Sequence, residues 1–426
     1  MSQTLAIEGG EPINKKPFPT WPSFSEKTKQ EALKPLENGL VNYWTGSKGI
    51  EFEKKWAEYC GCRYGVSTTN GTSALHAALA SCDIGPGDEV IVPSYSFIAS
   101  SFCVLQAGAI PVFADVREDT HTLDPQDVEQ KITSRTRAII PVHLYGIPCD
   151  MDAIMEIANR HNLYVIEDAA QAHGSEYKGK KAGSIGHVGC FSFCQSKHFT
   201  TGGEGGCLVT NDEEIAWKAR SFRDHGYDVK ERLRLLEMEK KLFYIHERVG
   251  FNYRLTEIQS IIGLCELERF DSWNKPRRIA IGERFLQAFQ GHEGILHLPP
   301  HQKEDKLVSF WLFPIVVNME RLKCSSIKEF WQAVEAEGVP FSPVLWPQMY
   351  RERAYLEHNG FGRVKFPFRS KEYTDPSAVE YDKVFCPNAA WLEERTFCFP
   401  CHPVYDDEHV DLMIEAWEKV YEYYKR

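Results

Sequence analysis

An apolar run that ends in two adjacent acids lies near the middle of the chain: Leu163-Tyr164-Val165-Ile166-Glu167-Asp168. Its length is that of a buried strand. The helical pattern from Met151 to His161 precedes it, and similar pairs of strand-length and helix-length segments recur upstream. Strands that alternate with helices in this way predict an α/β fold with a mostly parallel sheet covered on both faces.

This alternation covers the first two thirds of the chain. The predicted strands are 65–69, 89–93, 110–114, 138–142 and 163–166, and the helical stretches include 72–81, 97–107 and 151–161. From about residue 255 the pattern changes to long helices at 255–270 and 275–290, a β-rich run at 307–317 and a last helix at 407–424. We therefore predict two domains, an N-terminal arm with a large domain over 1–275 and a smaller α+β domain over 276–426.

Charge and hydropathy exclude several classes of function. The 60 acidic and 49 basic side chains give a net charge of -11, which argues against a nucleic-acid polymer as partner because phosphate binding needs concentrated Lys and Arg. No apolar stretch approaches the roughly 18 to 20 residues that cross a bilayer, and the N-terminus lacks the pattern of a secretion signal. We expect a cytoplasmic protein that does not span a membrane.

The thirteen cysteines are an odd number, so reduced thiols are expected rather than a disulfide framework. Cys398-Phe399-Pro400-Cys401-His402 matches the pattern of covalent haem attachment, and Cys60, Cys62, Cys190 and Cys194 could be imagined as metal ligands. Covalent haem attachment normally occurs after export, and no export signal is identified in this sequence, so we do not expect haem. Small apolar side chains in a loop or strand explain these cysteines better, and we predict no metal site.

Polar residues follow the predicted strands, where ligands collect in a parallel sheet. After the first strand, Thr68 to Ser73 open a helix with small polar residues, which suits an anion resting on backbone N–H groups. An ordinary N-cap by Asn70 or Thr72 would leave the same pattern. After the second strand, Phe97 could stack on a flat ring, although a core phenylalanine is the simpler interpretation.

Two charged residues complete the pattern. Asp168 emerges from an apolar strand and needs a positive partner, such as a protonated ring nitrogen. Lys197 precedes the glycine-rich turn 202–206, and a lysine in such surroundings can form a Schiff base. Taken by itself, the segment is equally consistent with an ordinary surface lysine. A phosphate cradle, a stacking ring, an acid and such a lysine together describe a site for pyridoxal 5'-phosphate.

Six motifs in order then carry a resemblance to the DegT/DnrJ/EryC1/StrS family of sugar aminotransferases. They are Gly9-Gly10-Glu11-Pro12, Asn70 to Leu75, Pro93 to Phe97, Glu167 to Gly174, Phe191 to Gly206 and Gly250 to Leu255. The C-terminal third resembles the family more loosely. The resemblance implies the fold-type-I architecture of enzymes dependent on pyridoxal phosphate, with a mixed, mostly parallel sheet in the large domain.

The resemblance also implies roles for single residues. Lys197 would bind the cofactor as a Schiff base and later move a proton, and Asp168 would keep the pyridine nitrogen protonated. Gln171 would lie near the phenolic oxygen, and Phe97 would stack on the ring.

The phosphate would be held by Gly71, Thr72 and Ser192 under the same resemblance. In this family an Asn from the neighbouring subunit usually completes the phosphate site. Asn252 is the best match, with Arg254 beside it as the second choice. The implied assembly is a homodimer with a shared active site.

The implied activity is ping-pong transamination from glutamate or glutamine to a keto-sugar, most often a nucleotide-linked keto-deoxysugar. Residues 11–22 and 386–389 also resemble the branch that aminates scyllo-inosose-type cyclitols. Family members with His in place of the lysine act as dehydratases, but here Lys197 occupies that position and His198 follows it. A non-catalytic regulator of the same fold is a further alternative, which the complete set of Lys197, Asp168 and the phosphate turn disfavours.

Overall fold

The computed structural model describes residues 4–237, 246–300, 305–342, 348–373 and 379–426. The strands are β1 Tyr64–Thr68, β2 Glu89–Pro93, β3 Ile110–Ala114, β4 Thr136–Ile139, β5 Tyr164–Asp168, β6 Glu176–Tyr177, β7 Lys180–Lys181, β8 Val188–Ser192, β9 Gly206–Thr210, β10 Ile295–His297, β11 Lys306–Leu307, β12 Leu312–Val317 and β13 Thr396–Pro400. The helices are α1 Glu26–Asn38, α2 Lys48–Cys60, α3 Gly71–Ser81, α4 Ala99–Gln106, α5 Pro125–Lys131, α6 Met151–His161, α7 Glu213–Arg223, α8 Val229–Glu237, α9 Glu257–Glu268, α10 Lys275–Phe289, α11 Ile327–Ala336, α12 Arg353–Leu356, α13 Pro387–Glu393 and α14 Asp407–Tyr424.

A seven-stranded sheet with the order β1-β9-β8-β5-β4-β2-β3 forms the centre of the large part of the molecule. The strands from β8 to β3 run parallel, and β9 is antiparallel to both of its neighbours. The predicted α/β class with a mixed, mostly parallel sheet is therefore confirmed. The carboxyl ends of β2, β5 and β8 lie at one edge, so the polar residues that follow them come together.

Helices begin where a polar side chain can cap them. The side chain of Asn70 accepts a hydrogen bond from the N–H of Ser73 at 2.8 Å, and the Ser73 hydroxyl accepts one from the N–H of Asn70 at 3.1 Å. This reciprocal capping box satisfies N–H groups that the first turn cannot pair internally. The start of α3 is thereby held rigidly beside the sheet.

A second sheet with the order β10-β12-β13 is antiparallel; α11 packs against β13, and α10 and α11 both pack against α14. The β-rich run expected over 307–317 is interrupted in the structure. Phe310 adopts a left-handed conformation with φ of 46°, which ends strand pairing there. As a result β11 pairs with β6 and β12 joins the second sheet.

The N-terminal arm packs on the C-terminal part of the chain. The N–H of Ala6 donates to the Glu337 carboxylate at 2.9 Å, and the Trp21 ring stacks on His402 with centroids 5.7 Å apart. One buried apolar cluster includes residues of both sheets. The division at 275/276, where α10 begins, stays a prediction. No helix of the described residues is long and apolar enough to cross a membrane.

Candidate active site

A cavity of about 490 Å³ opens at the carboxyl ends of the parallel strands. The residues around it come from the loops after β1, β2, β5 and β8 and from the turn before β12. Its lining consists of Asn70, Gly71, Thr72, Leu75, Ser96, Phe97, Ala99, Ser100, Asp168, Ala170, Gln171, Ser192, Cys194, Ser196, Lys197, Glu204 and Trp311. Seven of the eight predicted site residues are in this set, and Asn252 is the exception.

The N-terminus of α3 forms one wall of the cavity. Gly71 is the first residue of the helix, and a Cβ atom at this position would lie 2.7 Å from the Cβ of Ser192. Any side chain would therefore fill the space between the helix start and β8. Exposed N–H groups, the positive end of the helix dipole and the hydroxyls of Thr72 and Ser192 suit a phosphate.

The two adjacent acids of β5 point to opposite faces, because successive side chains of a strand alternate. Asp168 faces the cavity, whereas Glu167 is fully buried behind it. The Glu167 carboxylate accepts hydrogen bonds from the N–H groups of Gly183 at 2.8 Å, Ile185 at 2.7 Å and Gly186 at 2.6 Å, and it lies 2.8 Å from the His143 ring. Glu167 thus holds the loop between β7 and β8.

The Asp168 carboxylate is only 5% exposed. Burial raises its pKa above the ordinary value. Hydrogen bonds from the Ser100 hydroxyl at 2.7 Å and the Ala170 N–H at 3.1 Å oppose this rise, and so do the charges of Lys197 and His143. A cationic ring nitrogen in the cavity would be a fitting further partner for this carboxylate.

Lys197 reaches the same cavity from the loop after β8. It keeps some exposure through the cavity, but protein atoms crowd around its amine, and this burial lowers the pKa of the amine to about 8. The nearby charges of Asp168, Cys194 and Glu204 oppose that shift. A lysine with a lowered pKa is more often neutral near pH 8 and can act as a nucleophile or base.

The backbone around Lys197 is fixed by donors from distant parts of the chain. The indole N–H of Trp21 donates to the Lys197 carbonyl at 3.1 Å, and that of Trp311 donates to the Ser196 carbonyl at 2.5 Å. The Asn274 amide donates to the His198 carbonyl at 2.6 Å. Sequence reasoning missed these residues because their contacts depend on tertiary structure alone.

Phe97 and Gln171 occupy other parts of the wall. Phe97 is 52% exposed and lines the cavity. Gln171 is buried, and its side-chain oxygen accepts a hydrogen bond from the Tyr145 N–H at 2.9 Å. Ser100 was also missed, although its position in the turn after Phe97 is a signal that could have found it.

Asn252 lies outside the cavity of its own chain. It is exposed and forms an antiparallel bridge with Asp224. The neighbouring Arg254 contacts the buried Asp224 carboxylate, which also accepts from the Trp44 indole at 2.6 Å. Asn252 does not line the cavity of its own chain, and its role stays a prediction.

All thirteen cysteines are free thiols, and only Cys194 is more than slightly exposed. Cys398 lies in β13, and Cys401 is fully buried just after it. Among the described residues, no three His, Cys, Asp or Glu side chains are arranged to hold a metal ion.

The residues of the cavity fit pyridoxal 5'-phosphate. The space that a Cβ at Gly71 would fill lies at a helix start suited to the phosphate, and the buried Asp168 carboxylate suits the ring nitrogen. Lys197 shares the cavity with both, as covalent attachment of the cofactor aldehyde requires.

Comparisons with known proteins agree with this fit. A profile of the DegT/DnrJ/EryC1/StrS aminotransferase family matches residues 22–374. The chain is 44% identical over 370 residues to UDP-N-acetyl-3-dehydro-alpha-D-glucosamine 3-aminotransferase of Acidithiobacillus ferrooxidans, covering 87% of this chain and 88% of the relative. It is 43% identical over 309 residues to GDP-perosamine synthase of Caulobacter vibrioides, with coverages of 71% and 78%. It is 38% identical over 283 residues to L-glutamine:2-deoxy-scyllo-inosose aminotransferase of Streptomyces lividus, with coverages of 65% and 66%.

Solved structures show the same architecture. An aminotransferase from Psychrobacter cryohalolentis superimposes with a TM-score of 0.85 at 35% identity, covering 96% of this chain and 100% of that one. The PLP form of a putative sugar aminotransferase from Streptococcus pneumoniae gives a TM-score of 0.79 at 27% identity, covering 96% of this chain and 99% of that one. The chain belongs to the DegT/DnrJ/EryC1/StrS family, and like the other aminotransferases of that family it is a transaminase that uses pyridoxal 5'-phosphate.

Proposed function

We propose that this protein transfers an amino group from glutamate or glutamine to the keto group of a nucleotide-linked keto-deoxysugar by a ping-pong mechanism in the cytoplasm. The observation that carries the proposal is the shared cavity of Lys197, Asp168 and the start of α3. The names of the relatives from Acidithiobacillus ferrooxidans and Caulobacter vibrioides support a nucleotide-sugar acceptor.

Each residue contributes one physical operation. When bound, the cofactor supplies an aldehyde that accepts the amino group and a ring that takes up electrons. Lys197 would anchor it and would carry a proton to and from the substrate carbon with Nζ, and Asp168 would hold the proton on the ring nitrogen. Phe97 would offer its ring to the cofactor ring, and Gln171 would interact with the phenolic oxygen.

The phosphate is bound by Gly71, Thr72 and Ser192 of one subunit and by Asn252 of the other, in our proposal. Asn252 is exposed, and two large apolar side chains beside it are exposed as well: Val249 at 84% and Phe251 at 41%. Exposed apolar surface of this kind favours an interface with a second copy of the chain. The site would then be complete only in the homodimer.

Mixed dimers test the shared site. Lys197→Ala and Asn252→Ala subunits should each be weakly active alone, because each homodimer lacks one essential group in both sites. Heterodimers should regain about half of the wild-type activity per dimer, because one of their two sites combines the two intact residues, and a random 1:1 mixture should regain about a quarter. Heterodimers as inactive as both parents would contradict the action of Asn252 in trans.

A cyclitol ketone is the second candidate acceptor, which the relative from Streptomyces lividus supports. The protein is first converted to the amine form of the cofactor with glutamate or glutamine. Nucleotide-linked 3- and 4-keto-deoxysugars and inososes are then added separately, and the return of the aldehyde absorption is recorded. If the aldehyde absorption returned only with inososes, a cyclitol ketone would be favoured as the acceptor.

The same panel separates transamination from dehydration. A dehydratase would turn over the sugar without consuming an amino acid. His198, which follows Lys197, is fully buried and lies 2.9 Å from the Ser309 hydroxyl rather than in the cavity lining, and this placement favours transamination by Lys197. A protein that takes up no cofactor and shows no absorption change would refute the enzyme assignment.

A further inference from the structure

Trp311 contacts the active-site lysine and its backbone at once. The centroid of the Trp311 ring lies 3.9 Å from Nζ of Lys197, and the indole N–H of the same side chain donates to the carbonyl of Ser196 at 2.5 Å. Trp311 lines the cavity but is itself only 7% exposed. One side chain therefore fixes both ends of the lysine, its amine and the backbone before it.

Trp311 is held in place by the turn before β12. Its own N–H donates to the Tyr145 carbonyl at 3.0 Å, and the left-handed Phe310 directly before it sets the direction of the chain. The Tyr145 N–H in turn donates to Gln171 at 2.9 Å. The backbone of Trp311 is thus connected through Tyr145 to Gln171, which also lines the cavity.

A lysine side chain loses much conformational freedom when it is held in one position, so an unbound amine in an open cavity needs a specific contact to stay ordered. An indole face is the best aromatic partner for an ammonium group. We infer that Trp311 is a positioning residue, which holds the amine of Lys197 at the cavity wall whenever that amine is not joined to the cofactor. The inference rests on the role proposed for Lys197, but on no choice of acceptor.

Three variants separate the contacts. Trp311→Phe keeps a weaker ring face and loses the N–H, and Trp311→Leu loses both. Trp21→Phe removes the N–H bond to the Lys197 carbonyl and keeps an aromatic ring beside His402 and Arg278. Trp217→Phe serves as the matched surface control, since Trp217 bonds to Glu213 on the outside of α7.

The measurement is made on protein that carries the amine form of the cofactor, in which Lys197 is unbound. Brief acetylation with acetic anhydride is followed by mass spectrometry, and the labelling of Lys197 is divided by that of the surface residue Lys218. We expect the ratio to rise about threefold or more in Trp311→Leu and less in Trp311→Phe, because phenylalanine binds a cation more weakly than tryptophan. It should stay at the wild-type value in Trp217→Phe.

An unchanged or lower ratio in both Trp311 variants would overturn the inference. Thermal unfolding shows whether Trp311→Leu folds. If it does not, the labelling ratio of Trp311→Phe alone tests the inference, and an unchanged or lower ratio overturns it. A positioning role also predicts that kcat falls by a larger factor than KM rises. Loss of packing alone would leave the Lys197/Lys218 labelling ratio unchanged and would not lower kcat more than it raises KM. If no acceptor restores the aldehyde absorption, the proposed function fails while the labelling still reports on Trp311.

Discussion

The Ser100 hydroxyl donates to the Asp168 carboxylate across 2.7 Å, and both groups are almost fully buried. Ser100 lies in the first turn of α4, and Asp168 ends β5. The bond therefore joins the helix that follows β2 to the end of β5. It also opposes the effect of burial on the Asp168 pKa.

Ser100→Ala should reduce kcat/KM by roughly ten- to a hundredfold, because a hydrogen bond to a charged group contributes about 1.5 to 3 kcal/mol. Without this bond the Asp168 pKa rises further, so the carboxylate becomes protonated at a higher pH as the pH falls. The acidic limb of the kcat/KM profile should move upward in pH. Ser101→Ala is the control, since Ser101 is buried but bonds to Ile98 and Met349 instead. An unshifted profile would count against the proposed role of Ser100.

Gly71→Ala should weaken cofactor binding about tenfold or more. The added Cβ would meet the Cβ of Ser192 at 2.7 Å, so that the helix start and β8 must move apart at the phosphate cradle. Gly85→Ala is a matched control because its Cβ would meet only the Ala107 carbonyl at 3.6 Å. Titration of the cofactor-free proteins with pyridoxal 5'-phosphate checks this, and equal affinities in the three proteins would contradict it.

The Lys197 amine should titrate far below an ordinary lysine in cofactor-free protein. Burial lowers its pKa to about 8, so the neutral amine, which is the form that acetylates, increases as the pH rises through 8. Labelling of Lys197 should be half-maximal near pH 8. Lys218, whose pKa is raised by hydrogen bonds to Asp83 and Glu214, provides the internal reference at higher pH. Parallel curves for the two residues would show that the site does not activate Lys197.

The two acids of β5 should respond in opposite ways to neutralisation. Glu167→Gln should lower the free energy of unfolding by about 3 kcal/mol or more, because an amide cannot accept all the bonds of a fully buried carboxylate. Asp168→Asn should fold with near wild-type stability yet lose activity at least about a hundredfold, since a neutral amide cannot stabilise a protonated ring nitrogen. Urea denaturation measures the stability of both variants, and turnover measures their activity. Similar losses of stability in the two variants would contradict a structural role for Glu167 and a cofactor-binding role for Asp168.

Much of this site could be predicted because its residues follow apolar strands. Asp168 ends β5, and Phe97 and Lys197 lie four and five residues beyond the ends of β2 and β8. The apolar runs of β2 and β5 are visible in the sequence. Trp311 could not be found in this way, because it reaches Lys197 only through the folding of residues more than a hundred positions apart. The break at Phe310 was missed because a left-handed backbone leaves no mark in an apolar pattern. The action of Asn252 depends on a second chain and stays a prediction.

The interruption at Phe310 also has a mechanical consequence. β11 pairs with β6 in a separate three-stranded sheet, whereas β12 belongs to the β10-β12-β13 sheet, so the short connection 308–311 is anchored at its two ends to different sheets. The connection includes Trp311, so a change in the relative position of these two sheets would reach the indole that contacts the Lys197 amine.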